Sequence, residues 1–349
     1  MNLQNIIQKK EKKFNYGLAI LKSICEFLVV AYHNFNINST QNKIILNITS
    51  RKRLFHVPCF FIMSFYFMCR NLLSLKSKII FNRLIRLFIP YIIWPIIFWE
   101  LNRFWNKKYN SKLPDSYNEL KLQLLWGHNF TPIFWFLWNL IAVTLLFIAI
   151  IAILRKHYLF FLQILLIFFY IAQYSGFHYE KIFKKYSPSC QGRTLGYFFE
   201  IVPLCITGFT LGYFKIIDIL KRRRLKVIII SLMIYNVIED YNIIPNIKGL
   251  LYQGIKINIQ SVCLIFAFYL IPFDNIKNKY LLKFLIIITN YTAGIYYLHY
   301  SIRFYLGYYF DNIKNGTFCG LFITYFFCYI ICFIGMLIFG KTSFKFLFC

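Results

Sequence analysis

A chain of 349 residues that is 59% hydrophobic and only 15% charged, with a positive mean hydropathy of +0.56, excludes an ordinary water-soluble domain and points to a polytopic membrane protein. The formal net charge of +28 invites a nucleic-acid partner. The lysines and arginines, however, are spread through short segments between apolar runs, without a basic domain or a nucleic-acid motif, so anchoring at a membrane surface accounts for them and no nucleic acid is expected.

With ~20 residues per span as the guide, about ten apolar segments qualify. They fall at 17–35, 55–75, 87–105, 132–154, 158–175, 198–214, 227–241, 257–273, 284–305 and 317–339. Lys9, Lys10, Lys12 and Lys13 precede the first one, and no small-residue cleavage site follows it, so it is expected to be retained as a span. Placing these lysines in the cytoplasm returns Lys341 and Lys345 to the same side, along with the cluster Lys221-Arg222-Arg223-Arg224 and Lys226. Arg51-Lys52-Arg53 and Lys107-Lys108 then fall outside, so the positive-inside bias supports the arrangement only in part. The stretches 36–54, 106–131 and 176–197 are the places left for extramembrane structure. The expected fold class is an all-α polytopic membrane protein, about ten transmembrane helices in one bundle, with both termini cytoplasmic and a single domain over 1–349.

The first apolar segment carries Lys22, Glu26 and His33 among its aliphatic residues, and an ionisable group at that depth is costly without a partner or a task. At ~100° per residue the steps from Lys22 to His33 make about three turns, so both leave one face of a helix, roughly 16 Å apart along its axis. A cation at one end of a stripe and an imidazole at the other suit a long ligand with an anionic head and a reactive tail, such as an acyl-CoA. A plainer reading stands beside it: Lys22 snorkels to the interface, Glu26 pairs with it one turn on, and His33 marks the far end of the span.

At the mouth of the third span, Arg83 and Arg86 are three residues apart and project from neighbouring positions of one helical face, where guanidinium forks bind phosphate well. Two arginines at the inner end of a span also serve as simple anchors. Trp135 reads as an interfacial anchor or packing residue. His56, His128, His157 and His178 fall at predicted span ends or in loops and are expected to be solvated. Glu200 and His299, ionisable groups near apolar segments, are candidates to orient His33. No base is placed near Ser64 by sequence. Cys25, Cys205, Cys263, Cys328 and Cys332 lie within apolar runs and read as core residues. No His/Cys spacing of a metal site is present, so no metal is expected.

Several stretches together resemble one family. Lys22 with His33 eleven positions on, preceded by Leu28-Val29-Val30-Ala31-Tyr32, is similar to the Arg/Lys-X10-His signature of membrane-bound acyltransferase family 3, which includes surface-polysaccharide O-acetylases and Nod-factor acylating proteins. Val57-Pro58-Cys59-Phe60-Phe61-Ile62-Met63-Ser64 resembles its Val-Pro-x-Phe-Phe-x-x-Ser stretch, and Arg83-Leu84-Ile85-Arg86 with Ile89-Pro90-Tyr91 resembles its Arg-x-x-Arg element and the residues after it. Trp135-Phe136-Leu137, Thr207-Gly208 with Gly212, and Gly294-Ile295-Tyr296-Tyr297-Leu298-His299 continue the likeness, which covers about 14–340. Three positions depart from it, one of them Ala19, where an acidic residue is often found three positions before the Arg/Lys. Phe65 stands where a glycine is expected, and Glu26 occupies a place that is usually small and apolar.

The resemblance implies transfer of an acyl group from cytoplasmic acyl-CoA, a donor substrate and not a resident cofactor, to a hydroxyl of a surface polysaccharide or lipid-linked sugar. Acetyl is the commonest group in relatives, and a bacterial inner membrane is the implied location. His33 is then the expected general base, with Lys22, Arg83 and Arg86 on the CoA phosphates and Glu26, Ser64, Glu200 and His299 as accessory or orienting residues. The alternative is a polysaccharide transporter, flippase or polymerase without acyl transfer, in which Lys22, Glu26 and His33 line a pathway.

Overall fold

A computed structural model of the chain describes residues 15–35, 55–104, 116–125, 133–174, 190–240, 255–272, 280–281, 286, 289–314 and 316–348. Among these residues the regular structure is all helix. In chain order the helices are α1 (Tyr16–Asn34), α2 (His56–Leu73), α3 (Ser77–Phe104), α4 (Tyr117–Leu125), α5 (Trp135–Leu154), α6 (Tyr158–Tyr174) and α7 (Cys190–Tyr213). They continue with α8 (Ile216–Leu220), α9 (Arg224–Asp240), α10 (Ile255–Leu270), α11 (Thr292–Tyr309), α12 (Asp311–Lys314) and α13 (Phe318–Phe339). The N-terminal lysines, His128 and His178 lie outside the described residues, as do most of the expected loops. Segment 117–125, within one of those loops, is helical.

Local chemistry sets the helix ends. Asn15 caps α1 by accepting from the Leu18 N–H at 2.8 Å, and its amide donates to the Tyr269 carbonyl at 3.3 Å, tying the start of α1 to the end of α10. Thr317 caps α13 in the same way, accepting from Gly320 at 3.1 Å. The chain turns at Arg155, whose φ of 44° breaks the helix between α5 and α6. The two legs then run in opposite senses along α7: Trp135 meets Tyr197 and Phe147 meets Phe209 on one leg, whereas Tyr158 meets Phe209 and Phe169 meets Phe199 on the other.

By length and composition four stretches can cross a membrane: Tyr16–Asn34, Ser77–Leu101, Trp135–Ala172 and Phe318–Phe339. A fifth arises if the pair Gly196–Tyr213 and Ile216–Ile238, bent by 56°, is one span. The other predicted spans fall on helices that are shorter or less apolar, such as α10 with its 16 residues. Many large apolar side chains on α5, α6, α9 and α13 face outward, among them Ile153, Phe160, Ile171, Met233 and Leu337. Lipid is the solvent that such a surface requires.

At the centre of the bundle α2 lies between α1, α7 and α10. It meets α7 at backbone distance, because a Cβ on Gly208 would collide with the Ile62 carbonyl and one on Gly212 would stand 2.6 Å from the Tyr66 carbonyl. The glycine missing at position 65 is therefore not needed for this approach. Phe65 is fully buried in an unbroken helix and packs on Phe147 at 4.8 Å. Cys59 donates to the Ser261 carbonyl at 3.8 Å and Tyr66 meets Tyr269 edge-on, so α2 and α10 run in parallel. Cys25 of α1 neighbours Cys59, and with Asn15 at the Tyr269 end this makes α1 antiparallel to α2. The five cysteines expected in the core, Cys25, Cys205, Cys263, Cys328 and Cys332, are buried, whereas Cys319 is exposed.

Gly208→Val is expected to force α7 off α2. Overpacking of this kind costs about 1–3 kcal/mol or more. A lowered unfolding midpoint of the purified protein in detergent is the expected result, with Gly208→Ala the milder of the two.

Candidate active site

The antiparallel pairing of α1 and α2 gives the bundle two chemically different ends. At the end where Tyr66 and Tyr269 meet, a cavity of about 920 Å³ is lined by Arg70, Arg83, Arg86, Lys215, Asp218 and Tyr269, among others. Arg83 reaches from α3 to α2 and donates from Nη2 to Ser64 Oγ at 2.7 Å, while its Nε is buried without a partner among the described residues. Arg86, one turn out, lies 4.9 Å over the ring of Phe346. Asp218 is the one carboxylate in the lining, and it is paired with Lys221 at 2.7 Å. Arg83 and Arg86 are thus brought together as their spacing predicts, and Ser64 serves as the seat of a guanidinium. Lys22 is not among the cavity's lining residues. Arg70 and Lys215 are, and sequence reading missed both: nothing in the chain order places the last turn of α2 beside the kink after α7, where Lys215 holds a left-handed φ of 50°.

At the other end His33 and His299 approach with ring centroids 5.3 Å apart, and the Tyr300 ring meets His33 edge-on at 5.7 Å. His299 is buried, and its Nδ1 lies 2.7 Å from the Tyr296 carbonyl. A carbonyl only accepts, so the His299 proton sits on Nδ1 and Nε2 keeps its lone pair. That Nε2 is buried and has no partner among the described residues. Tyr296 is held in turn by its hydroxyl, which donates to the Ile133 carbonyl at 3.2 Å. Arg303, one turn beyond His299, and His56, at the start of α2, are both close enough for their charges to act on the His33 ring.

His56 corrects one expectation. It is buried rather than solvated, with the Phe55 ring edge-on at 6.4 Å and His33 near enough for the His56 charge to act on it. His157 is exposed, as expected. These histidines do not form a metal cluster: no group of three metal-ligating side chains occurs among the described residues.

The remaining candidates lie between the ends or beside them. Glu26 is fully buried and accepts a hydrogen bond from the Tyr325 hydroxyl at 2.7 Å, with Lys22 near enough for its charge to act on the carboxylate. The unusual acid on α1 is therefore matched by a tyrosine on α13, a partner 299 residues away in sequence. Glu200 is buried on α7, two turns before Gly208, which by helix rise sets it roughly 12 Å from Ile62 toward the histidine end. Trp135 is half-buried against Tyr197 at 4.8 Å, a packing contact as expected.

Such an arrangement, a cationic cavity and an imidazole pair with His299 buried and His33 half-buried on one apolar helical frame, can hold a charged carrier at one end and deprotonate a hydroxyl at the other. The comparisons agree with the class it suggests. The acyltransferase domain of family 3 is matched over residues 15–339, nearly the whole chain, and the protein belongs to that family. It is a membrane acyltransferase in the general sense that the family defines. Neither a curated protein nor a solved structure matches the chain.

Tyr325→Phe leaves the buried Glu26 carboxyl without its donor and is expected to destabilise the fold by about 1–3 kcal/mol, the range for an orphaned buried acceptor. Glu26→Gln keeps an acceptor oxygen for Tyr325 and should cost less. Unfolding midpoints of the two variants against the parent protein measure the difference.

Proposed function

We propose that this acyltransferase takes an acyl group, acetyl by preference, from cytoplasmic acyl-CoA and transfers it to a hydroxyl of a surface polysaccharide or lipid-linked sugar at a bacterial inner membrane, within a ten-span bundle whose termini are cytoplasmic. The observation that carries the reading is the separation of the two ends along α2. The basic cavity lies at Arg70, and the histidine pair lies beside His56. At ~1.5 Å per residue the rise between these residues is roughly 21 Å, a span that a pantetheine arm can cover.

In this mechanism Arg83 and Arg86 hold the diphosphate, with Ser64 fixing the Arg83 fork. Lys22, outside the cavity lining, contributes positive charge to the path beside α1. The thioester lies near His33. The acceptor oxygen attacks the thioester carbonyl while the His33 imidazole takes the hydroxyl proton. Collapse of the tetrahedral adduct breaks the C–S bond, and the departing CoA sulfur recovers the proton from His33. His299 acts by orientation, since its Nε2 offers an acceptor facing the same space. Glu26 and Glu200 support the helices that carry these groups and do not touch the reacting atoms.

Mass spectrometry of surface glycans and lipid-linked sugars tests this, comparing the intact gene, its deletion and His33→Ala at equal membrane level. An ester-linked acyl group lost by at least about 100-fold in both is expected, the scale of a missing general base. Glycans of unchanged acylation that fail to reach the surface would replace this reading with transport.

A further inference from the structure

The basic cavity holds more charge than a diphosphate requires. Arg83 and Arg86 come from α3, while Arg70 from α2 and Lys215 from the kink after α7 line the same space. No carboxylate pairs with any of the four among the described residues, because the one acid in the lining, Asp218, is paired with Lys221. The four cations also differ in depth. Arg83 is withdrawn into the bundle with its Nε buried, whereas Arg70, Arg86 and Lys215 are exposed at the rim.

We infer that Arg70 and Lys215 form a second anion site, which takes the phosphate on the ribose of the CoA nucleotide. The inference rests on the acyl-CoA reading above and adds a specificity to it. Connectivity of the ligand sets the assignment. The thioester must point along α2 toward the histidines, so the diphosphate, joined to the pantetheine, comes next at Arg83, the one cation of the four withdrawn into the bundle, with Arg86 one turn along the same helix. The 3′-phosphate, farthest from the thioester, comes last, at the rim. Tyr66 and Tyr269, whose rings meet at 6.1 Å in the wall of the cavity, border the space left for the adenine. One cation withdrawn into the bundle and three at the rim match a ligand with phosphate at two separated positions. A single anionic headgroup would leave one pair unneutralised.

The experiment is calorimetric titration of the purified full-length protein in detergent with coenzyme A, with dephospho-coenzyme A, which lacks only the ribose phosphate, and with pantetheine. The parent protein should bind coenzyme A at least tenfold more tightly than dephospho-coenzyme A. Arg70→Gln combined with Lys215→Gln should bind those two ligands equally, while Arg83→Gln should weaken both. A parent protein that does not distinguish them overturns the inference without relying on any variant. So does a double variant that keeps the preference. If the parent binds none of the three ligands, the acyl-CoA reading itself falls, and this site with it.

Discussion

The contact on which both ends depend is the backbone approach of α2 to α7. Gly208 and Gly212 present no Cβ where the Ile62 and Tyr66 carbonyls stand, so the two helices lie in parallel at a separation that no other residue at those positions allows. Between lipid-facing helices there is little hydrophobic drive, since the tails are as apolar as the side chains, and close packing of this kind is what holds the bundle in register. Register matters here because α2 carries His56 at one end, Ser64 in the middle and Arg70 at the other. Arg83, Gly208 and His33 are each located relative to that one helix.

A second constraint is that polar groups in an apolar interior must be matched. Glu26 is answered by Tyr325, His299 by the Tyr296 carbonyl, and Arg83 by Ser64. The side-chain amide of Asn258 bonds the hydroxyls of Thr207, at 2.8 Å, and of Tyr170, tying α6, α7 and α10 together. Among the described residues, buried polar atoms without a hydrogen-bond partner occur at both proposed functional places, Nε of Arg83 in the basic cavity and Nε2 of His299 with Nε of Arg303 at the histidine end, and also elsewhere in the bundle, at Oε1 of Glu26 and Oδ1 of Asn34, Asn139 and Asn258. Those at the two functional places are atoms that a bound substrate would satisfy.

Much of this site was legible because its parts are local. Lys22 and His33 share a helical face by arithmetic alone, Arg83 and Arg86 are a turn apart, and the family resemblance rests on short contiguous motifs. His56 was misread because a histidine just before an apolar run looks like an interfacial residue, and no local signal says that the turn carrying it is covered. Arg70 and Lys215 were passed over for the same reason, as separate cations at helix ends that meet only across the bundle.

Residue chemistry along the chain by itself determined that this is an all-helical membrane protein of the acyltransferase family, with ionisable groups on its first helix, since hydropathy, helical period and motif order are properties of the chain read in one dimension. Only tertiary structure decided the rest. It paired Glu26 with Tyr325 and His33 with His299, placed Lys22 outside the basic cavity, and completed that cavity from residues of α2, α3, α5, α7, α8 and α10 together with the kink at Lys215. The physical reason is that each of these depends on the direction and depth at which distant helices pack. Glycine positions and buried hydrogen bonds set that packing jointly, and no single stretch of sequence carries it.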